Sequence, residues 1–284
     1  MSNFPTPFRY PGGKTKLSPF VAELFAENSL VDGHYVEPYA GGAGLAMSLL
    51  FSGHARYLHL NDLDRSIYAV WHSILFETEA LCDFVQNVVV NVEEWIRQKE
   101  IQRNKDSIDL LSLGISTLFL NRTNRSGVIN GGPIGGLDQS GNYKIDVRFN
   151  RAILTEQIRK ISFYKKRIKI DNLDAKDFLL NIVSNLPQNT LVNLDPPYYM
   201  KGKQLYKNSY KPSDHGEISS IVPNLKQYWI VTYDNVDPIK SLYSRYTPLE
   251  FSLSYSVNKK YKGKEILIAD PRLNLPSINL LQVA

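Results

Sequence analysis

The sequence predicts an α/β protein built on a Rossmann-like parallel sheet into which a mainly helical module with a β-hairpin is inserted. Three observations predict it. Strand-like runs alternate with helical segments from residue 16 to 62, no strand pattern interrupts residues 66–121, and the alternation resumes between about 151 and 195. The expected division is a sheet domain formed by 1–65 and 151–284, with the insert at 66–150.

Residues 16–30 carry the first helical pattern. HYVEPY (34–39) reads as a strand entering a glycine-rich turn, AGLAMSLLFSG (43–53) as a helix that Gly53 ends, and RYLHLND (56–62) as the next strand. The insert shows helical segments in IYAVWHSILF, LCDFVQNVV, VEEWIRQKEIQRN and LLSLGISTLFL. Residues 122–150 are rich in Gly and Asn and finish in the alternating YKIDVRF, which predicts a hairpin or a long loop with a strand. A helix at about 151–164 leads to the strand RIKIDN, the helix DAKDFLLNIV and the strand TLVNLD. Trp71, Trp95 and Trp229 sit in apolar contexts and are expected in cores; His34 and His59 flank strands, where packing is expected.

Composition narrows the classes. With 43% hydrophobic residues in 284, the chain can bury a substantial core. Lys and Arg number 33 against 28 Asp and Glu, a net charge of +5, which favours an anionic partner. Cys82 is the sole cysteine, so an intramolecular disulfide and a cysteine-based zinc site are excluded, and the five histidines lack ligand spacing. No run reaches the roughly 18 apolar residues of a membrane span, and the N-terminus lacks a signal-peptide core, so a cytoplasmic location without a membrane partner is expected.

VEPYAGGAG (36–44) lies between a strand and a helix, where open parallel sheets bind nucleotide-like ligands, and glycine there admits close backbone approach. Asp62, at the end of the next strand, suits two ribose hydroxyls. The turn is neither GxxxxGK[ST] nor GxGxxG, so a phosphate-free adenosine ligand fits better; S-adenosylmethionine is one, and its ammonium would suit Glu37 or another carboxylate near the turn.

LVNLDPPYYM (191–200) places Asp195 at the ligand-binding edge of the same sheet. Pro196 and Pro197 lack N–H groups and fix φ, so a rigid Pro196 carbonyl stands beside the Asp195 carboxylate. Two acceptors suit one exocyclic amine. Its lone pair is delocalised into the base, and accepting both N–H bonds favours the tetrahedral nitrogen that can attack an electrophile. Tyr198 would stack on a base taken out of its helix. Adenine N6 and cytosine N4 present the same problem, and both remain open from these residues alone.

FRYPGGK, VEPYAGGAG, LND, DAKDF and LDPPYY, in this order and spacing, resemble the Dam-type, D12-class DNA adenine-N6 methyltransferases over nearly the whole chain. The resemblance implies an S-adenosylmethionine-dependent methyltransferase fold, S-adenosyl-L-methionine as cofactor, and a target-recognition module between the cofactor-binding and catalytic motifs. It implies that Tyr10 and Lys14 border the cofactor site, that Tyr39, Ala40, Gly41 and Gly42 line its methionine end, that Asp62 holds the ribose, and that Asp177 and Phe178 bind the adenine. Asp195, Pro196, Pro197 and Tyr198 would bind the target base, with Asp195 also beside the cofactor. TLFLNRTNRSG resembles the segment entering the recognition hairpin, so Asn121, Arg122, Asn124 and Arg125 are expected DNA contacts. Two departures stand out: the F-x-G-x-G turn reads Tyr39-Ala40-Gly41-Gly42-Ala43, and NGGPIGGLDQSG replaces a shorter loop.

Lys259, Lys260, Lys262 and Lys264 of NKKYKGKE would clamp phosphates, whereas Arg151, Arg159, Lys160, Lys165, Lys166, Arg167 and Lys169 read mostly as helix surface. Tyr233 and Asp234 of TYDNVDP end a further strand near the target pocket. The implied partners are double-stranded DNA and, in a restriction–modification setting, a cognate restriction endonuclease. The rivals are cytosine-N4 or RNA methylation and a catalytically silent cofactor- and DNA-binding subunit of a larger assembly.

Overall fold

A computed structural model describes residues 5–9, 13–199, 210–257, 259–277 and 279–282, apart from the side chains of 252–263 and 282. The chain divides into two compact units, one of residues 14–63 and 167–284 and the other of 1–13 and 64–166. Against the sequence-based division, residues 1–13 and the helix following residue 150 fall with the helical segments.

The first unit is a sheet of β1 (Gly33–Glu37), β2 (Ala55–Asn61), β3 (Ile168–Asp171), β4 (Thr190–Leu194), β5 (Tyr228–Asp234), β6 (Leu249–Val257) and β7 (Lys259–Ala269). Its order is β3-β2-β1-β4-β5-β7-β6, parallel except for β7, which runs antiparallel to both neighbours. Parallel strands buried on both faces read as continuous apolar runs rather than alternating ones. TLVNL of β4 is accordingly buried at all five positions. The order reverses between β1 and β4, the point where an open α/β sheet leaves a crevice at its strand C-termini.

α1 (Ser18–Glu27) and α2 (Gly44–Phe51) precede β2; α8 (Ala175–Asn181), α9 (Pro212–Ile221) and α10 (Asp237–Leu242) follow the later strands. Gly53, at φ +80°, ends the α2 connection as its position in the sequence predicts. Trp229 lies in the core with Val36, Phe178, Val192 and Ile268. His34 Nδ1 and His59 Nε2 meet at 2.9 Å, and burial pushes the His59 pKa down to about 4, helped by His34 and Lys169.

The second unit contains α3 (Arg65–Phe76), α4 (Thr78–Asn87), α5 (Val92–Arg103), α6 (Leu110–Thr123) and α7 (Arg151–Phe163). Side chains of Asp64, Asn91, Asp109 and Asn150 cap α3, α5, α6 and α7, accepting from Ser66, Glu94, Ser112 and Ile153. Gly114 lets α6 approach α3, since a β-carbon there would stand 2.6 Å from the Ala69 carbonyl oxygen. Arg151 is a strut, not a free surface cation: it donates to the Val85, Gln86 and Val88 carbonyls at the end of α4. Trp71 is buried as expected, whereas Trp95 is half-buried and spends its indole N–H on Asn124.

The hairpin expected in 122–150 is not formed among the described residues, where the segment holds turns and one isolated bridge, Asn124 to Pro133. The alternation in YKIDVRF does not become a half-buried strand: Ile145 and Phe149, four apart, are buried, while Val147 between them is exposed. Gln139 replaces ladder bonds, its amide donating to the Ile134 carbonyl and accepting from the Ile145 N–H. Gly135 and Gly136, at φ +88° and +82°, supply the left-handed turn.

Candidate active site

The three strand ends β1, β2 and β3 are joined by a residue that sequence reasoning left unassigned. Asn61, wholly buried, donates to the carbonyls of Pro38 and Leu173, accepts from Leu173 N–H, and receives Ala40 N–H on its own carbonyl. This fixes the glycine turn against β2. Gly41, at φ +46°, then points its N–H to Asp62 Oδ2 at 2.9 Å, and Asn172 donates to the Asp62 carbonyl. Ala43 also lies in the left-handed region, at φ +43°, where a β-carbon is strained.

Below the turn, Glu37 is 6% exposed. Tyr35 hydroxyl donates to its Oε1 at 3.1 Å, and Asn193 donates to Tyr35 at 2.8 Å. Burial pushes the Glu37 pKa up to about 8, so the carboxyl carries its proton where an exposed one would be ionised. A cavity of about 230 Å³ lies at the same sheet edge, lined by Leu63, Asp174, Lys176, Tyr210, Asp214, Glu217 and Ile218. Tyr210 shares a 2.8 Å hydroxyl contact with Tyr39 and closes on that residue's ring edge-on.

At the end of β4, Asp195 Oδ1 accepts from Thr232 Oγ1 at 2.8 Å and pairs with Lys14 Nζ at 3.0 Å. Oδ2 takes no hydrogen bond from the described residues, and the side chain is 27% exposed. Lys14, itself buried, also donates to Tyr198 Oη at 3.1 Å and stands 3.3 Å from Glu265 Oε2. Tyr198 hydroxyl donates to Glu265 Oε1 at 2.6 Å. Asp234 accepts the Tyr199 N–H at 3.0 Å and so pins the turn after the prolines.

Lys14, Asp195 and Tyr198 are thus brought together, and Gly41 meets Asp62. Asp177 is exposed in the first turn of α8. The Phe178 ring is wholly buried in the sheet core and shows no aromatic face at the sheet edge. Tyr233 likewise turns inward to His215, while its neighbour Asp234 reaches the turn, as alternation along a strand requires. Tyr10 lies outside the described residues.

The expected DNA contacts divide sharply. Asn121 is wholly buried and grips Arg9 by both its N–H and its carbonyl, and also donates to Gly127. Asn124 is wholly buried too: it accepts from Trp95 and donates to the carbonyls of Val128 and Ile129. These amides build the turn and are spent, so neither offers a group to a base. Arg122 donates to the carbonyls of Arg148 and Pro7, and burial, with Arg9 and Arg148 nearby, lowers its pKa to about 10. Arg125 is exposed. Lys259, Lys260 and Lys262 lie on β7 opposite Val257, Ser256 and Ser254, their side chains outside the description. Sequence reasoning gave no role to Thr232 or Glu265, although they stand at the ends of the quoted TYDNVDP and NKKYKGKE, nor to Tyr210, which lies in no quoted motif; only their positions on or beside strands entering the same edge could have suggested them.

The family model for D12 class N6 adenine-specific DNA methyltransferase matches residues 10–270. The chain belongs to this family. It is therefore an adenine-specific DNA methyltransferase, and S-adenosylmethionine is its methyl donor. No curated protein matches the chain. Two solved structures resemble it remotely. A conserved hypothetical protein of Streptococcus pyogenes is 11% identical over 84% of this chain and 85% of its own, with a TM-score of 0.34. M. capricolum TrmK, in complex with the cofactor product S-adenosyl-homocysteine, is 8% identical over 92% of this chain and 74% of its own, with a TM-score of 0.37. Among the described residues, no helix is long and apolar enough to cross a membrane and no cluster of metal-ligating side chains forms.

Proposed function

We propose that this methyltransferase is of the Dam type, that Asp195 with the Pro196 carbonyl receives the target amine, and that residues 64–166 supply target recognition on double-stranded DNA in the cytoplasm. The observation that carries the reading is the state of the Asp195 carboxylate: Oδ1 is held by Lys14 and Thr232, while Oδ2 takes no bond from the described residues. A carboxylate so fixed is pre-organised for one new donor, and no reorganisation is required when the amine arrives.

The residues present fit the donor. Its ribose hydroxyls suit the Asp62 carboxylate, which already accepts the Gly41 N–H, and its ammonium suits Glu37, a carboxyl whose ionisation a buried cation would restore. The cavity beside Leu63, Asp174 and Tyr210 is open to an aromatic base on the same edge. When bound, S-adenosylmethionine supplies an electrophilic methyl group on a sulfonium. Asp195 Oδ2 and the Pro196 carbonyl accept the two N–H bonds of adenine N6 and so localise its lone pair. Oδ2 is also the atom placed to take the proton that N6 sheds after methylation. Tyr198 offers its ring to the face of the flipped base, worth about 1–3 kcal/mol in stacking. In the recognition module, Arg125 is exposed and can approach DNA, whereas Arg122 acts as a strut.

Sequencing with modification detection of DNA from cells expressing the protein tests this reading, with nucleoside mass spectrometry alongside. N6-methyladenine at one short sequence is expected. N4-methylcytosine, or modification without sequence preference, is the contrary result.

A further inference from the structure

Glu265 lies in β7 opposite Asp234 of β5 and Phe251 of β6, and is 2% exposed. Burial raises its pKa, and Lys14 opposes that rise. A carboxyl this deep is costly, and an apolar residue of similar volume would serve stability equally well or better. Its contacts are directed at one place. Tyr198 hydroxyl donates to Oε1 at 2.6 Å, and Oε2, otherwise without a hydrogen bond, meets the Lys14 ammonium at 3.3 Å. The same ammonium donates to Tyr198 Oη at 3.1 Å and pairs with Asp195 Oδ1 at 3.0 Å. Lys14, Tyr198 and Glu265 therefore close a triangle, and Asp195 hangs from its lysine corner. The four residues come from three distant parts of the chain, so no local motif dictates the closure.

We infer that Glu265 is a positioning residue for methyl transfer: it fixes the Tyr198 ring by its hydroxyl and holds Lys14 where it engages Asp195. This rests on the proposed role of the Asp-Pro-Pro-Tyr turn. Tyr198 is the only aromatic in the triangle, and its ring has one polar handle by which its plane can be set. Without Glu265, the Tyr198 hydroxyl loses the carboxylate that accepts its proton, and the Lys14 ammonium loses one of its two carboxylate neighbours. The loss falls on orientation at the reacting centre, which is sensitive to displacements of an ångström.

The test compares Glu265→Gln, Tyr198→Phe and the double variant with the parent enzyme. It measures radioactive methyl incorporation into DNA lacking N6-methyladenine, cofactor affinity by calorimetry and thermal melting. Each single variant is expected to lower kcat about 10-fold or more, with cofactor affinity changed by less than about twofold. Because both act on the one contact between the Tyr198 hydroxyl and residue 265, Tyr198→Phe by removing the donor and Glu265→Gln by replacing the charged acceptor with a weaker amide oxygen, the double variant should be little worse than the poorer single one. Parent-like kcat in Glu265→Gln, or losses that multiply in the double variant, would overturn the inference. Should Glu265→Gln not fold, Tyr198→Phe reads the same contact from its partner, and parent-like kcat there overturns it equally. Asp195→Ala separates the two proposals. An inactive Asp195→Ala beside a fully active Glu265→Gln removes Glu265 alone, whereas an active Asp195→Ala removes the role given to the turn itself.

Discussion

Asp195 in the sheet unit and Asn124 in the helical unit both belong to motifs that stand out in the sequence, and the fold uses them in opposite ways. Asp195 ends a fully buried strand, keeps one oxygen tied to Lys14 and Thr232, and leaves the other without a partner among the described residues. Asn124 is wholly buried, with its amide shared among Trp95, Val128 and Ile129. A polar residue in a motif can face a ligand or build the frame that holds one. Satisfied hydrogen-bonding capacity in a buried place marks the second case, because removing a partner there costs the full desolvation of what remains.

The comparison predicts unlike consequences for the two units. The largest is expected at Asp195: Asp195→Ala should lower methyl transfer on the order of 10²-fold or more while cofactor affinity stays near that of the parent, with some loss of melting temperature because buried Lys14 and Thr232 each lose a partner. A variant that keeps its rate would erase the contrast. Next comes Glu37, whose pKa of about 8 exceeds the 4.5 of an ordinary glutamate. The native state then holds a proton that the unfolded chain releases, so this contribution to stability is complete below about pH 4.5 and is lost as pH rises to about 8. Glu37→Gln should flatten that loss, on the order of a few kcal/mol, in urea denaturation curves taken across the window. Equal slopes in the two proteins would show that the group titrates normally.

In the helical unit, Asn124→Ala should cost on the order of 2–4 kcal/mol of stability by leaving three partner groups unpaired, with no change in the preferred DNA sequence of the folded fraction. Altered sequence choice at unchanged stability would move Asn124 back among the DNA contacts. Asp62→Ala should weaken S-adenosylmethionine binding by about 1–3 kcal/mol in calorimetric titration, and unchanged affinity would remove it from the site. The smallest effect is expected at Ala43. Relief of left-handed strain, offset by the added freedom of glycine when unfolded, makes Ala43→Gly more stable by about 0.5–1 kcal/mol. A destabilised variant would mean that the alanine methyl, buried at this turn, contributes more in packing than the backbone loses.

Periodicity made the strands from β1 to β4 legible because each is short, apolar and bounded by turn residues, and the Asp-Pro-Pro-Tyr turn carries its chemistry within four consecutive positions. The 122–150 segment was not legible in the same way. Its alternation promised a strand, but Gln139 and the left-handed glycines satisfy the backbone locally, and burial follows a spacing of four instead of two. Phe178 illustrates a second limit: a motif names a residue without saying whether its ring or its backbone faces the ligand, and here the ring fills the core.

By itself the sequence determined the α/β order, the helical interruption, the absence of a cysteine-based zinc site, and the Gly41, Asp62 and Asp195 positions on one edge of a parallel sheet. Each of these follows from interactions between near neighbours in the chain or from the types of residue available. Only the tertiary structure decided that Lys14, Tyr198 and Glu265 close on Asp195, that Asn61 ties three strand ends together, and that Asn121 and Asn124 are buried struts. The physical reason is that a buried polar group must find its partner, and which group lies within 3 Å depends on register and strand order, set by packing across the whole sheet or bundle.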